Sequence, residues 1–250
     1  MRLLAPIEAD MRAPLARTHP LAKLAAGLVV MLGLFASIDA VTSTLVLVAL
    51  AAAIALSGLR PRTLATRAIP LLVSAIGVAF FNAVAGQNGV PGGVALGVRL
   101  LGISIASVLA VATTDPTELA DGLVQHLRAS PRFVVGALAA FRLFPLFSRE
   151  WDTLGLARRA RGIEADRGIT RLVTFPGRAL GLLIAAIRRA TRLAVAMDAR
   201  GFASLDCRTL ARPRAFTRDD AVLVASAFAV VAVAIGASVA LGTWRPLIAL

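Results

Sequence analysis

The sequence contains no tyrosine, one cysteine, two histidines and two tryptophans among its 250 residues. The lone Cys207 excludes a disulfide within the chain and a thiolate metal site. His19 and His126 lie far apart, and neither is next to a cysteine or to an acidic cluster at ligand spacing, so no metal site is predicted. Neither a G-x-x-x-x-G-K-S/T phosphate loop nor a G-x-S-x-G nucleophile turn occurs. We therefore expect a non-catalytic chain without a cofactor.

One acidic group invites a catalytic interpretation, because Asp115, Glu118 and Asp121 are spaced like carboxylates on one helix. A helix start explains the first two more simply. Asp115 would cap the helix, Pro116 fits its first turn, and Glu118 would complete a capping box. Asp121 is then a solvated residue, and the segment predicts a short helix that ends near residue 128.

The composition indicates a membrane protein. Hydrophobic residues make up 58% of the chain and the mean hydropathy is +0.81, which is too apolar for an ordinary soluble domain. The formal net charge is +13, with Lys23 as the only lysine. The basic residues lie between apolar segments and few aromatic residues are present to stack on bases, so nucleic acid is not expected as a partner.

Five apolar segments have about the length of a spanning helix. Basic residues alternate between the links that join them: they precede the first segment, follow the second, and are absent from residues 37–43 and 86–93. The positive-inside rule then predicts a cytoplasmic N-terminus and a large cytoplasmic region after the fourth segment. The five segments are residues 24–38, 41–59, 68–85, 94–112 and 221–241.

The arginine-rich region between the fourth and fifth segments predicts two long helices, at about residues 131–161 and 172–200. Each opens with an apolar stretch, at residues 133–147 and 172–187, and closes with basic residues. Charged residues and prolines interrupt both stretches, which favours helices at the inner membrane surface. Two further membrane spans remain the alternative, because adding two spans leaves the predicted topology unchanged. The interrupting residues are Arg142, Pro145, Pro176 and Arg178.

A ten-residue pattern ends both of these helices. Leu154, Ala157 and Ala160 precede Arg161-Gly162-Ile163, and Leu193, Ala196 and Ala199 precede Arg200-Gly201-Phe202. Residues at three-residue steps share one side of a helix, so each helix presents a slim apolar stripe. Arginine favours a helix C-terminus and glycine ends a helix, which explains each motif singly but not the matched pair.

The pair is typical of a surface that binds a soluble partner. A guanidinium pairs bidentately with a carboxylate, and alanines keep a helix narrow enough to enter a groove. Two equivalent motifs suit a partner with two equivalent grooves, such as a pair of similar subunits.

The chain resembles the transmembrane T components of energy-coupling factor (ECF) transporters, a family of vitamin and metal-ion uptake systems that includes the cobalt and biotin versions. The resemblance rests on the two Ala-Arg-Gly motifs, at Ala160-Arg161-Gly162 and Ala199-Arg200-Gly201, and on the order of the elements. Three further segments resemble the family: His19-Pro20-Leu21-Ala22-Lys23-Leu24, Thr113-Thr114-Asp115-Pro116, and Arg142-Leu143-Phe144-Pro145.

This resemblance implies an all-α polytopic protein of the bacterial plasma membrane, with about five transmembrane helices and two long coupling helices on the cytoplasmic side. It implies that two cytoplasmic P-loop ATPases bind the coupling helices through the two motifs, with Arg161 and Arg200 as anchors. A small membrane-embedded S component would bind the substrate, sit on the apolar stretches 133–147 and 172–187, and topple to release its cargo inside. The T component itself then binds no cargo tightly and breaks no bond.

The predicted organisation is a four-span bundle at residues 1–112, a coupling region at 113–220 and a last transmembrane helix at 221–250. Three other functions compete with the T-component interpretation. The permease of an ordinary ABC importer would need its own substrate path, and a lipid-modifying enzyme would need paired acids or a nucleophile. The third competitor is a membrane scaffold without an ATPase partner, and only identification of the partners distinguishes it from a T component.

Overall fold

The computed structural model describes residues 18–58, 61–86, 89–163, 170–202 and 212–244. These residues form eight α-helices, which confirms the expected all-α polytopic membrane fold and both of the long helices. The helices are α1 (Pro20–Ala36), α2 (Ala40–Leu56), α3 (Pro61–Ala85), α4 (Gly89–Ala112), α5 (Pro116–His126), α6 (Pro131–Ala160), α7 (Thr170–Asp198) and α8 (Arg218–Ala240).

Four of the described helices are long and apolar enough to cross a membrane: α3 over Ala68–Ala85, α4, α6 and α8. The helices α1 and α2 are apolar but have only 17 residues each. At about 1.5 Å per residue they reach roughly 26 Å, slightly less than a ~30 Å hydrocarbon core. The presence of α6 among these four keeps the alternative of further spans open on composition alone.

The contacts divide the chain into two compact units, with boundaries at Leu127/Arg128 and at Pro213/Arg214. The first unit, called the bundle below, contains α1 to α5 and α8, and the second, called the helix pair, contains α6 and α7. The short helix α5 thus packs with the bundle. The functional division at residues 112 and 220 stays a prediction.

Small residues let the helices of the bundle approach closely. Gly93 and Gly97 are both buried, and a Cβ added at either would lie within 3 Å of Ala79 on α3. The two glycines form a G-x-x-x-G pair, a spacing that allows close packing of membrane helices. Around α1, the core includes the fully buried Leu34 and Val46.

A charged residue, Arg99, lies in the middle of α4 and has no role that could be predicted from the sequence. The Arg99 Nη2 atom donates a 2.9 Å hydrogen bond to the Phe35 carbonyl, and its guanidinium lies 5.3 Å from the centre of the Phe35 ring. Phe35 belongs to the last turn of α1, where carbonyl groups have no partner within the helix and a positive charge is favoured. Arg99 therefore caps α1 from a neighbouring helix, within the membrane-spanning bundle.

Replacing Arg99 with glutamine should destabilise the bundle by about 1–3 kcal/mol, because the charged hydrogen bond and the ring contact are both lost. Thermal unfolding of the purified protein in detergent measures this effect. Arg218→Gln, at an exposed arginine that begins α8, is the control and should unfold like the wild type. Equal unfolding temperatures for Arg99→Gln and the wild type would contradict the capping role.

Two of the segments that resemble the ECF family meet at one end of the bundle. The Lys23 ammonium donates to the Thr113 carbonyl at 2.9 Å, and the His19 backbone N–H donates to the Asp220 carboxylate. The His19 ring lies 5.0 Å from the His126 ring and 4.5 Å from the Phe216 ring. Burial, together with His126, lowers the pKa of His19 below its usual value, against the opposing charge of Asp220. The two histidines thus belong to a packed aromatic cluster.

The start of α5 confirms part of its prediction. Asp115 caps the helix by accepting from the backbone N–H groups of Thr117 and Glu118 at 2.6 and 3.4 Å. The predicted capping box is wrong, because the Glu118 carboxylate instead accepts from Arg214 at 2.5 Å. A guanidinium within reach is a stronger donor than a backbone amide, and the sequence separation of 96 residues hid this partner.

Candidate functional site: two matched helix ends

The helices α6 and α7 run antiparallel. Close contacts join Gly155 to Arg178, Leu154 to Gly181 and Glu150 to Arg189. Residues earlier in α6 therefore contact residues later in α7. The salt bridge between the Arg189 Nη1 and Glu150 Oε2 atoms is 3.0 Å long. The C-termini of the two helices therefore lie at opposite ends of the pair.

One buried arginine fastens the two helices together. Arg178 is 6% exposed, and its guanidinium lies 4.2 Å from the centre of the Trp151 ring. Its Nε atom donates to the Trp151 carbonyl at 2.9 Å, and its Nη2 atom donates to the same oxygen. Gly155 makes room for this side chain, since an added Cβ would lie 2.6 Å from the Arg178 Cζ atom.

In the sequence, Arg178 is only an interruption of an apolar stretch. The structure corrects this interpretation, because the guanidinium points to α6 and is buried there. A single arginine in an apolar run cannot be assigned an inward direction from sequence alone. The glycine four residues after Trp151 was the available signal, since it provides space for a large side chain from another helix.

Both predicted motifs end their helices with the same hydrogen bonds. In the first, Ile163 N–H donates to the Arg158 carbonyl at 3.0 Å and Gly162 N–H to the Arg159 carbonyl at 2.9 Å. In the second, Phe202 N–H donates to the Met197 carbonyl at 3.1 Å and Gly201 N–H to the Asp198 carbonyl at 2.9 Å. These two pairs of bonds define the Schellman motif, with the arginine at the C-cap and the glycine after it.

The glycines have the backbone conformation that this cap requires. The φ angles are +69° at Gly162 and +76° at Gly201, in the left-handed region that costs other residues roughly 1–2 kcal/mol. Nothing lies within 4 Å of a Cβ added at Gly162, so the backbone angle alone demands glycine there. The ten-residue match between the motifs therefore corresponds to a matched three-dimensional terminus.

The side chains of the two motifs face outward. Ala160, Arg161 and Gly162 are exposed, as are Ala199 and Arg200, while Gly201 is half-buried. Among the described residues, neither Arg161 nor Arg200 has a carboxylate within salt-bridge distance. Both arginines are exposed, and the small alanine before each of them leaves room for a partner to approach.

The two helix ends are far apart. The first lies beyond α6, a helix of 30 residues, and the second lies beyond α7, at the opposite end of the antiparallel pair. At about 1.5 Å per residue this puts Arg161 and Arg200 on the order of 40 Å from each other. One small domain cannot cover both positions with one groove, so the arrangement suits two binding partners or a two-subunit partner.

The rest of the helix pair exposes an extensive apolar surface. On α6, Phe133, Phe141 and Phe144 are 77%, 69% and 55% exposed, and on α7, Leu180 and Leu183 are 58% and 54% exposed. Between the helices lies a groove of about 670 Å³, lined largely by alanines and larger apolar residues of both helices and by Phe202. Apolar patches of this kind mark contacts with lipid or with another protein.

Substitutions at the two glycines test whether the Schellman cap orients the arginine, because they leave both arginines in place. The double variant Gly162→Val/Gly201→Val should weaken binding of a partner at both ends by about tenfold or more, because a β-branched residue resists positive φ and redirects the arginine. Gly162→Asn/Gly201→Asn is the matched control and should bind nearly as the wild type, since asparagine tolerates this conformation. Partner binding is measured by co-purification. Unchanged binding by the valine variant would show that the cap does not orient the arginine.

The sequence profile of the CbiQ family, described as cobalt transport protein, matches residues 11–209 and so includes both motifs. Three relatives are each called energy-coupling factor transporter transmembrane protein EcfT. That of Staphylococcus aureus (strain 04-02981) is 32% identical over 124 residues, which cover 46% of each chain. That of Bacillus subtilis (strain 168) is 29% identical over 149 residues, or 56% of each chain.

The third relative, from Brevibacillus brevis (strain 47), is 32% identical over 171 residues, which cover 64% of this chain and 61% of that protein. The matched segments thus span about half to three-fifths of these relatives' own lengths. The family profile, in contrast, covers most of the chain. This multi-pass membrane protein belongs to the CbiQ cobalt transport protein family.

Proposed function

We propose that this chain is the T component of an ATP-driven ECF-type importer, the subunit that links two cytoplasmic P-loop ATPases to a membrane-embedded, substrate-binding S component. The observation that carries the proposal is the matched pair of helix ends, each with an exposed arginine held at the C-cap by the same hydrogen bonds. Residues 160–162 and 199–201 form the ATPase contacts. The names of the EcfT relatives support the same assignment.

Each arginine would pair with a carboxylate in a groove of one ATPase. A guanidinium presents a planar fork of donors, so two parallel hydrogen bonds fix both the position and the direction of the helix end. The separation on the order of 40 Å lets each end engage its own subunit of an ATPase pair. Because Arg178 and the salt bridge of Arg189 with Glu150 hold the helices together, movement of either ATPase is transmitted through the pair as a body.

The antiparallel arrangement favours helices that lie along the membrane surface. If α6 and α7 crossed the bilayer, the opposite direction of the two helices would place Arg161 and Arg200 on opposite sides of the membrane. Only one side has ATP and ATPases, so both motifs are usable only when the pair lies along the cytoplasmic face. The exposed arginines on α7, such as Arg188 and Arg192, beside exposed Leu183 and Ile187, suit a helix at the interface.

The exposed apolar residues of α6 and α7 provide the surface for the S component. The cargo of the importer, a vitamin or a metal ion, is then selected by that subunit, and ATP is hydrolysed in the ATPases. The chain acts without catalysing a reaction itself. The positive-inside rule predicts a cytoplasmic N-terminus, and a bacterial importer of this kind would act in the plasma membrane.

Purification of the tagged chain from its native host in mild detergent tests this function. Mass spectrometry should identify two P-loop ATPase subunits and a small hydrophobic protein in the same complex. A complex that contains ATPases and a periplasmic binding protein would instead identify the permease of an ordinary ABC importer. A chain that carries no ATPase even after crosslinking would contradict the proposal and leave a membrane scaffold.

A further inference from the structure

We propose that a cavity inside the bundle holds one acyl chain of an anionic phospholipid. The cavity has a volume of about 360 Å³ and lies between α1, α2, α4 and α8. Engineered apolar cavities of only ~150 Å³ already bind benzene. The small residues that create the space are Ala26, Gly27, Ala49, Ala53, Ala106 and Ala110.

The cavity opens sideways. Of the residues that line it, Ala52 on α2 and Ser226 on α8 are exposed, whereas the others are buried or half-buried. Next to this mouth, Val48 on α2 and Val222 on α8 are 65% and 64% exposed, so the surrounding surface is apolar. In a membrane-spanning bundle such a surface faces lipid, and the groups available at the mouth are acyl chains.

The depth and charge of the cavity favour an anionic lipid. Among the described residues that line the cavity, Lys23 is the only charged one; it is 4% exposed and donates to the Thr113 carbonyl at one end. That end is formed by the beginning of α1 and the end of α4, which the positive-inside rule places towards the cytoplasm. A phospholipid that inserts one acyl chain from the inner leaflet therefore has its phosphate on the same side as Lys23, where the positive charge attracts it.

An acyl chain suits this cavity better than a helix does. A helix with its side chains is about 10 Å across, whereas the space between these four packed helices is created by small residues on each of α1, α2 and α4. An extended acyl chain is much thinner than a helix. Water is disfavoured because nearly all of the lining is apolar.

Retention of lipid by the intact protein tests the proposal. The wild type, reconstituted in nanodiscs with equal amounts of phosphatidylglycerol and phosphatidylcholine and then washed in detergent, should retain one phosphatidylglycerol per chain in native mass spectrometry. Ala49→Phe fills the cavity and should lower this retention at least tenfold. Ala51→Phe, two residues away on the same helix at an exposed position outside the lining, should retain lipid like the wild type.

Absence of retained lipid, equal retention of both lipids, or equal retention by Ala49→Phe and Ala51→Phe would overturn the proposal. A second measurement uses only the wild type, in case Ala49→Phe does not fold. Phosphatidylglycerol with a photoreactive group halfway along one acyl chain should label interior residues such as Gly27 and Ala110. Labelling confined to exposed residues such as Val48 and Phe228 would show that the acyl chain stays outside the cavity.

Discussion

Simultaneous replacement of Arg161 and Arg200 with glutamate is expected to abolish both ATPase association and transport. Each reversal removes a charge-assisted pair and places like charges face to face, and loss of one close interfacial charge pair alone costs about 2–5 kcal/mol. Each single variant should therefore lose at least ~30-fold in affinity for the ATPase at its own end. The loss is measured by quantitative co-purification from membranes and by uptake of the cargo.

The matched control for these variants is Arg188→Glu. Arg188 is an exposed arginine on α7, 12 positions before Arg200, and its reversal makes the same change of charge without touching a helix end. It should retain ATPase binding within a few-fold of the wild type. If the double variant and Arg188→Glu lose binding equally, the positive charge of the helix pair acts as a whole and the two motifs are not specific anchors.

Replacing Arg178 with alanine should separate the two helices and uncouple ATP hydrolysis from transport. The variant loses a cation–π contact and leaves the Trp151 carbonyl without its buried donor, a combined effect of about 3 kcal/mol. Hydrogen exchange should accelerate at residues 150–158 and 175–182, around the contact. ATPases should still bind each helix end, while cargo uptake per ATP hydrolysed falls.

Two further variants check this interpretation. Gly155→Leu disrupts the same contact from α6, because its side chain must displace the Arg178 guanidinium. It should give the same hydrogen-exchange pattern as Arg178→Ala. Arg192→Ala removes an exposed arginine from α7 and should leave exchange at the contact unchanged. Wild-type exchange in Arg178→Ala would contradict the role of Arg178 in joining the helices.

The features that could be predicted from the sequence are local ones. Periodicity and capping residues gave both long helices to within a few residues, and the Ala-Arg-Gly repeats correctly marked both helix ends. In each case the interaction is determined within about one turn of helix.

The features that could not be predicted depend on partners distant in sequence. Glu118 binds Arg214 instead of its own helix start, and Arg178 binds α6 from within an apparently interrupted apolar run. Arg99, in an apolar segment, caps a helix 64 residues away. A single arginine has several possible partners of similar energy, and only the packing of the helices decides between them.

Site-specific photo-crosslinking in native membranes tests the central claim most directly. A photoreactive amino acid is placed at Ala160 or Ala199, the exposed residue before each arginine, with exposed Val195 on α7 as the control position. We expect both motif positions to crosslink to a P-loop ATPase and Val195 to do so far less. Crosslinks from both motif positions only to lipid or to other membrane proteins would contradict the account.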